Sequence, residues 1–385
     1  MTTLLLGIIY ISFISLGLPD SLLGAAWPTM CLEFHVPVSY AGLISLIISA
    51  GTILSSLLSD RLTRKFGTGL VTAVSVSMTA MALLGFSLTH SYWGMLLWAV
   101  PCGLGAGGVD AALNNYVALH YASRHMSWLH CMWGVGASLG PYIMSWALTG
   151  GQDWNMGYRY IAFIQIALTF VLYLSIPLWK KRTIAADEKG ENGKALSLRQ
   201  TFAIPGAKEI LIAFFCYCAM ESTAMLWSST YLVGHLGMGE EQAAGFASLF
   251  FIGITAGRAA NGFLTFKLSD VQLIRLGQGI IVLGVFLMLL PLGQYGAIAG
   301  LLLIGLGCAP IYPCIIHSTP EHFGAENSQA LIGVQMASAY MGTLLMPPLF
   351  GLIANHISVS LMPVFICLIT AFMIIMCEKL NRKGT

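Results

Sequence analysis

Long apolar stretches separated by short polar segments dominate the chain. A helix that crosses a membrane needs about 20 mostly apolar residues, and lipid offers no partners to backbone polar groups, so these stretches predict membrane-spanning helices. The pattern predicts six spans in the first half, at 3–31, 38–59, 68–89, 92–119, 127–151 and 158–179. It predicts six more in the second half, at 208–234, 242–265, 271–291, 295–317, 327–354 and 357–378.

The segment between the sixth and seventh spans is rich in Lys, Arg, Asp and Glu and is too charged to enter the membrane. Gly103-Leu104-Gly105 in span four is echoed by Gly305-Leu306-Gly307 in span ten, which indicates an internal repeat. We therefore predict an all-α integral membrane fold of two pseudo-symmetric six-helix bundles. The predicted domains are an N-terminal bundle at 1–179, a cytoplasmic linker at 180–207 and a C-terminal bundle at 208–385.

Composition supports this assignment, because 57% of residues are hydrophobic and only 9% are charged, against roughly a quarter charged in soluble domains. The formal net charge of +2 gives no basic field for nucleic acid. The nine Cys residues lack metal-ligand or redox spacing. No phosphate-binding, zinc-protease or nucleophile-elbow motif occurs in the sequence, so we expect neither an enzyme nor a cofactor or metal site.

The basic residues also predict orientation. Placing both termini on the linker side puts every Lys and Arg there except Arg159 and Arg258, which lies near that side within span eight. The positive-inside rule then places both termini in the cytoplasm. We expect a multi-pass monomer in a bacterial inner membrane.

Three acids lie deep inside predicted spans: Asp20, Asp110 and Glu221. An ionisable group at that depth costs about 2.5 to 3.5 kcal/mol on insertion scales, so each is a candidate functional residue. Desolvation favours the neutral form of a carboxyl group, which allows proton exchange near physiological pH. A structural hydrogen bond to a neighbouring helix is the alternative role for each acid.

Polar and aromatic side chains in the spans predict a binding cavity for a small solute. Rings can cover the apolar face of a sugar, while amides and carboxyl groups bind its hydroxyls. No Lys or Arg lies near the middle of a span, which favours a neutral cargo over an anion. The predicted substrate-binding residues are Trp27, Asn114, Asn115, Trp227, Tyr231, Tyr312 and Gln335, and Trp133, Tyr340 and His130 are further candidates.

The run Ser56–Lys65 after span two resembles the loop signature of the major facilitator superfamily, with Ser56 and Thr63 in place of two glycines. The resemblance implies the twelve-helix major facilitator fold. It also implies gating roles for Asp60, Arg61 and Arg64, whose charges can hold one closed state.

Further runs resemble the fucose/proton symporter branch of that superfamily. They are Gly17–Pro28 in span one, Asp110 with Asn114 in span four, Glu221, Trp227 and Tyr231 in span seven, and Ala309–Pro313 in span ten. The resemblance implies that Asp20 and Asp110 carry the coupled proton, although the branch has Glu at the span-four position. We therefore predict a secondary active transporter that couples a proton to a sugar or similar neutral solute by alternating access.

Several alternatives remain open at this point. Gly136-x-x-x-Gly140-Pro141 in span five is similar to part of an antiporter motif, which suggests a proton-driven exporter of drugs or metabolites, although small residues also serve close packing. Sodium can replace the proton, because carboxylates and amides coordinate hard cations. Uniport, and a receptor or enzyme on a carrier-like scaffold, are the other possibilities.

Overall fold

The computed structural model describes residues 2–20, 22–37, 40–187 and 196–382, and nearly all of them are helical. The first half contains α1 (Thr2–Gly17), α2 (Leu22–Glu33), α3 (Ala41–Phe66), α4 (Thr68–Leu88), α5 (Tyr92–His120), α6 (Ser123–Thr149) and α7 (Trp154–Asp187). The second contains α8 (Leu198–Ala203), α9 (Ala207–Leu236), α10 (Glu240–Leu264), α11 (Asp270–Leu289), α12 (Gly293–Phe323), α13 (Ala325–His356), a 3-10 turn (Val359–Leu361) and α14 (Met362–Asn381).

These helices confirm the predicted all-α fold. In the described part of the chain, ten helical segments are long and apolar enough to cross a membrane, and one of them joins α1 to α2. Helices α6 and α10 bring the total to the predicted twelve, while α8 is a short additional helix.

Span one is interrupted between α1 and α2, next to Asp20. Pro19 has no backbone N–H and its ring opposes a continuous helix. The backbone N–H of Asp20 bonds instead to the carbonyl of Gly17, at 3.2 Å, in a turn. Asp20 therefore precedes the start of α2 at Leu22 and is not on the same helix as Trp27.

The run Ser56–Lys65 is helical and not a loop, which corrects the sequence interpretation. It forms the last turns of α3, which end only at Phe66. The two family glycines are absent from this run, so nothing breaks the helix before Gly67, whose φ of 80° suits a residue without a Cβ.

The predicted linker is partly helical. Helix α7 continues past residue 179 to Asp187, and α8 begins with a capping box in which Ser197 and Gln200 satisfy each other's backbone N–H groups. The predicted linker residues 188–195 lie outside the described residues.

The chain forms two compact units. Unit 1 comprises Met1–Tyr116, Leu129–Leu196 and Ala325–Ala337, and unit 2 comprises Val117–Trp128, Ser197–Gly324 and Ser338–Thr385. Each unit therefore consists of one half of the chain together with a short segment from the other half. In unit 1 the start of α13 joins the first-half helices, and in unit 2 the α5–α6 connection joins the second-half helices.

The repeated Gly-Leu-Gly runs occupy equivalent places in the two units. In unit 1 a Cβ added to Gly103 of α5 would overlap the backbone carbonyl of Ile48 in α3. In unit 2 a Cβ added to Gly305 of α12 would overlap the carbonyl of Phe250 in α10. The same close helix approach thus recurs within each unit, as the internal repeat requires.

We expect Gly103→Ala and Gly305→Ala each to destabilise the protein by about 2 kcal/mol, because overpacking against rigid backbone costs roughly 1 to 3 kcal/mol. Thermal unfolding of the purified variants in detergent measures this effect. Gly279→Ala is the matched control, because a Cβ there meets nothing within 4 Å. Equal melting temperatures for all three variants would contradict the close-approach interpretation.

Candidate functional site

Asp20 is held by a hydrogen bond from a neighbouring helix. The indole Nε1 of Trp133 in α6 donates to Oδ2 of Asp20 at 2.8 Å. The close packing of α1 on α6 creates this contact, since a Cβ on Gly17 would overlap the carbonyl of Trp133 and one on Gly136 would overlap that of Ile14. Asp20 itself is exposed in the structure.

Asp110 lies at one end of a buried polar chain. The amide Nδ2 of Asn114 donates to Oδ1 of Asp110 at 2.7 Å, a contact that the i,i+4 spacing of the two residues on α5 allows. The Oδ1 atom of Asn114 lies 3.0 Å from Nε2 of His130 in α6, whose ring also packs edge-on against Phe13. Asp110 is 4% exposed and Asn114 is fully buried. This chain links three polar side chains across two helices of unit 1.

The two acids of unit 1 differ in their surroundings. Asp20 is accessible and accepts one indole N–H, whereas Asp110 is enclosed and accepts from an amide. Unit 1 thus contains two carboxyl groups in different surroundings.

Glu221 belongs to a separate site in unit 2. Its Oε1 lies 3.2 Å from Nη2 of Arg258, and the two side chains are 15% and 5% exposed. Arg258 lies in the second half of α10, toward its end, as the sequence indicated. Its long side chain nevertheless reaches Glu221 at the middle of α9, a contact that the sequence did not predict, and pairing with Glu221 offsets the desolvation of both charges.

The predicted aromatic residues fall in different places. Trp27 is 5% exposed and belongs to the hydrophobic core of unit 1. Trp227 donates its Nε1 to the carbonyl of Pro347 at 2.9 Å, which joins α9 to α13. Tyr231 is buried beside His235, and Tyr312 is partly buried against Phe214. The ring of Tyr312 contacts the rings of Phe214 and Tyr217, and Tyr217 forms a hydrogen bond with Arg258. Of these four aromatic residues, Tyr312 is therefore the one near the Glu221–Arg258 pair.

The predicted amides other than Asn114 lie elsewhere in unit 1. Asn115 points away from Asp110 and accepts a hydrogen bond at 2.5 Å from Ser328 at the start of α13. Gln335, on the same part of α13, is fully buried. Asn115 therefore contacts α13, whereas its chain neighbour Asn114 contacts Asp110 and His130.

The predicted gating residues lie at the end of α3. Asp60 is buried and its Oδ1 accepts from Nε of Arg64 at 2.6 Å, while its Oδ2 accepts from the backbone N–H of Leu196. Arg64 also donates to the carbonyl of Glu326 at the start of α13. Arg61 is exposed, so Arg64 rather than Arg61 is the partner of Asp60.

The sequence analysis did not identify the contacts of three polar residues, His130, Trp133 and Arg258. His130 and Trp133 were named only as further candidates, and Arg258 was counted only for orientation. His130 and Trp133 are three residues apart on α6, a spacing that places them on one side of the helix. Nothing in the sequence predicted which residues of other helices they contact.

A metal centre needs several ligating side chains close together. Within residues 2–20, 22–37, 40–187 and 196–382, no three His, Cys, Asp or Glu side chains are grouped to hold a metal ion.

Comparisons with known proteins agree with this architecture. The family described as the Major Facilitator Superfamily matches residues 9–334. Uncharacterized transporter y4wD of Sinorhizobium fredii is 26% identical over 368 residues, covering 92% of each chain. Glucose/mannose transporter GlcP of Bacillus subtilis is 21% identical over 79% of this chain and 77% of its own. Bypass of stop codon protein 6 of Saccharomyces cerevisiae is 24% identical over 66% of this chain, which spans 56% of that longer protein.

Solved structures share the fold at low sequence identity. The E. coli fucose:proton symporter FucP superposes with a TM-score of 0.77 at 14% identity, over 98% of each chain. The proton:xylose symporter XylE gives a TM-score of 0.79 at 11% identity, over 99% of this chain and 95% of its own. The family consists of membrane transporters and not enzymes. The chain belongs to the Major Facilitator Superfamily and is a multi-pass integral membrane transporter.

Proposed function

We propose that this transporter is a secondary active symporter that moves a neutral sugar together with a proton. The observation that carries the proposal is the pair of acids in unit 1, Asp20 and Asp110, held by Trp133 and by the Asn114–His130 chain. Carboxyl groups at membrane depth are costly and are kept where an ion or proton is moved.

The two acids have different roles in this proposal. Asp20 is accessible, so it takes up the proton and contacts the cargo. Asp110 is enclosed, and its charge is stabilised by the Asn114 amide until the proton arrives. Trp133 provides a further group for cargo hydroxyls, and Asn114, which is buried in this structure, remains a proposed substrate-binding residue. Glu221 remains a proposed proton-coupling residue. The other proposed substrate-binding residues are Trp27, Asn115, Trp227, Tyr231, Tyr312 and Gln335.

The relatives support a sugar cargo as a proposal. GlcP is named for glucose and mannose, FucP for fucose with a proton, and XylE for xylose with a proton. We extend this chemistry to the present chain because its unit 1 provides carboxyl, amide and indole groups that bind hydroxyls.

The remaining features of the proposal concern organisation. We propose that 1–179 and 208–385 form the two bundles, that 180–207 is a cytoplasmic linker, and that both termini are cytoplasmic in a bacterial inner membrane. Asp60 and Arg64 hold the closed state at that side through the contact with Glu326. We propose a monomer as the functional form.

A second candidate cargo follows from the buried Arg258. A guanidinium binds carboxylates in a fixed fork geometry, so an acidic sugar can compete with Glu221 for this cation. We therefore include sugar acids among the candidate cargoes, beside the neutral sugars that the unit 1 groups favour.

Uptake into right-side-out vesicles tests the proposal. Vesicles containing the protein receive labelled neutral sugars or sugar acids under an imposed pH gradient, an imposed sodium gradient or no gradient. We expect accumulation of a neutral sugar under the inward proton gradient alone. Accumulation under sodium alone, cargo exit driven by the proton gradient, or no response to any sugar would contradict proton–sugar symport.

A further inference from the structure

His317, in α12 of unit 2, is enclosed by hydrogen-bond acceptors. Its Nδ1 lies 2.6 Å from Oδ2 of Asp270 at the start of α11. Its Nε2 lies 3.0 Å from the backbone carbonyl of Tyr121, in the connection between α5 and α6. Ser123 of the same connection donates its hydroxyl to the other oxygen of Asp270. One imidazole and one carboxylate thus fasten the α5–α6 connection to α11 and α12.

This arrangement requires a particular number of protons. A neutral imidazole has one N–H donor and one acceptor nitrogen, so it cannot donate to both the Asp270 carboxylate and the Tyr121 carbonyl. Both contacts form only when the His317–Asp270 pair holds one additional proton. Loss of that proton leaves two acceptors facing each other, which is costly because His317 and Asp270 are only 21% and 10% exposed.

The charged groups around the pair favour this protonated form. Asp270 lies in the first turn of α11, where the helix dipole stabilises its negative charge. Glu321, one turn after His317 on α12, is the second acid in range of the imidazole. Further titratable groups nearby are Cys314 of α12 beside Asp270, and Tyr121 and His125 of the connection, whose rings contact each other. Helix α10 presents the neutral amide of Asn261. The nearby cation Arg124 stacks on Phe266.

The fastened segment has an unusual place in the chain. Val117–Trp128 belongs to unit 2, although the residues on both sides of it belong to unit 1. A second contact, from Nδ2 of Asn261 to the hydroxyl of Ser127 at 2.7 Å, holds its other end. Of these two contacts, the His317–Asp270 pair is the one that contains titratable groups.

We propose that His317 and Asp270 form a proton-dependent latch that holds the α5–α6 connection on unit 2. The latch is closed while the pair keeps its additional proton and opens as the pH rises through the titration of the histidine. Because Arg124 and Lys267 flank the latch, we place it at the cytoplasmic side, where internal pH controls the release of this segment. The latch makes no use of Asp20 or Asp110, so it is distinct from the proposed proton coupling.

Distance measurement between two spin labels tests the latch without any cargo. The labels are placed at Ala122, in the connection, and at Lys267, between α10 and α11, in the full-length Cys367→Ser protein in lipid nanodiscs. Both positions are exposed, and both lie in unit 2. Electron–electron double resonance is recorded between about pH 5.5 and pH 8.5, which spans ordinary histidine titration. We expect a single short distance at low pH and a second, longer distance that gains population as the pH rises.

Two substitutions identify the group responsible. His317→Gln is expected to abolish the pH dependence, because glutamine does not titrate. His322→Gln is the matched control on the same helix. His322 bonds to the carbonyl of Ser318 within α12, so its loss should leave the transition intact. Asp270→Asn keeps the histidine and should shift the transition to lower pH. A wild-type distance that does not change with pH, or a transition that survives His317→Gln, would overturn the latch.

Discussion

Asp110→Asn is expected to abolish uphill accumulation of cargo and to preserve the exchange of labelled for unlabelled cargo. Asparagine keeps the oxygen that accepts from Asn114, so the polar chain survives, but it cannot take up and release a proton. A symporter moving one proton per cargo gains about 1.4 kcal/mol for each pH unit, which corresponds to roughly tenfold accumulation. We expect the wild type to approach that ratio and the variant to remain near about one, in vesicle uptake under an imposed pH gradient.

Asp20→Asn is expected to give the same loss of accumulation. Asp153→Asn is the matched control, because Asp153 is an exposed acid in the turn before α7. Wild-type accumulation in both the Asp20 and the Asp110 variants would contradict their role as proton carriers. Loss of exchange as well as accumulation would instead indicate that the variant no longer folds or binds cargo, and thermal unfolding separates those two cases.

Arg258→Met is expected to destabilise the protein by about 3 to 5 kcal/mol, because it leaves the Glu221 carboxylate buried without its partner. Glu221→Gln combined with Arg258→Met removes both charges, and should restore most of the lost stability. Thermal unfolding of the purified proteins in detergent measures both effects. If the double variant is more stable than Arg258→Met, the two buried charges compensate each other in the wild type.

Arg275→Met provides the matched control for this pair. Arg275 forms a two-point contact with Glu378, but the guanidinium is 53% exposed, so solvent screens the interaction and its loss should have a much smaller effect. Two results would contradict the view that burial makes the Glu221–Arg258 pair important for stability. One is a double variant less stable than Arg258→Met alone, and the other is a loss of stability in Arg275→Met equal to that in Arg258→Met.

The number and type of helices were predictable from sequence, because membrane spans need long apolar runs whatever their partners. Helix ends were less predictable. The charged residues Asp60 and Arg64 suggested a loop after span two, yet they satisfy each other within the last turns of α3. Hydropathy predicts which residues are embedded in lipid, but it does not predict how far a helix extends outside the bilayer.

Contacts within one helix were also predictable, whereas contacts between helices were not. The i,i+4 spacing of Asp110 and Asn114 showed directly that their side chains meet. The contacts from His130 and Trp133 depend on how α6 packs against α5 and α1, which no single-helix pattern contains. Arg258 was misjudged for the same reason, since its partner Glu221 lies on another helix.

The most direct test of proton–sugar symport is the external pH of a weakly buffered suspension of energy-depleted cells that express the protein. Pulses of single neutral sugars and sugar acids are added to wild-type cells and to cells with Asp20→Asn or Asp110→Asn. The account predicts alkalinisation after one neutral sugar in the wild type and no change in either variant. No alkalinisation with any sugar, or the same alkalinisation in the variants, would contradict it.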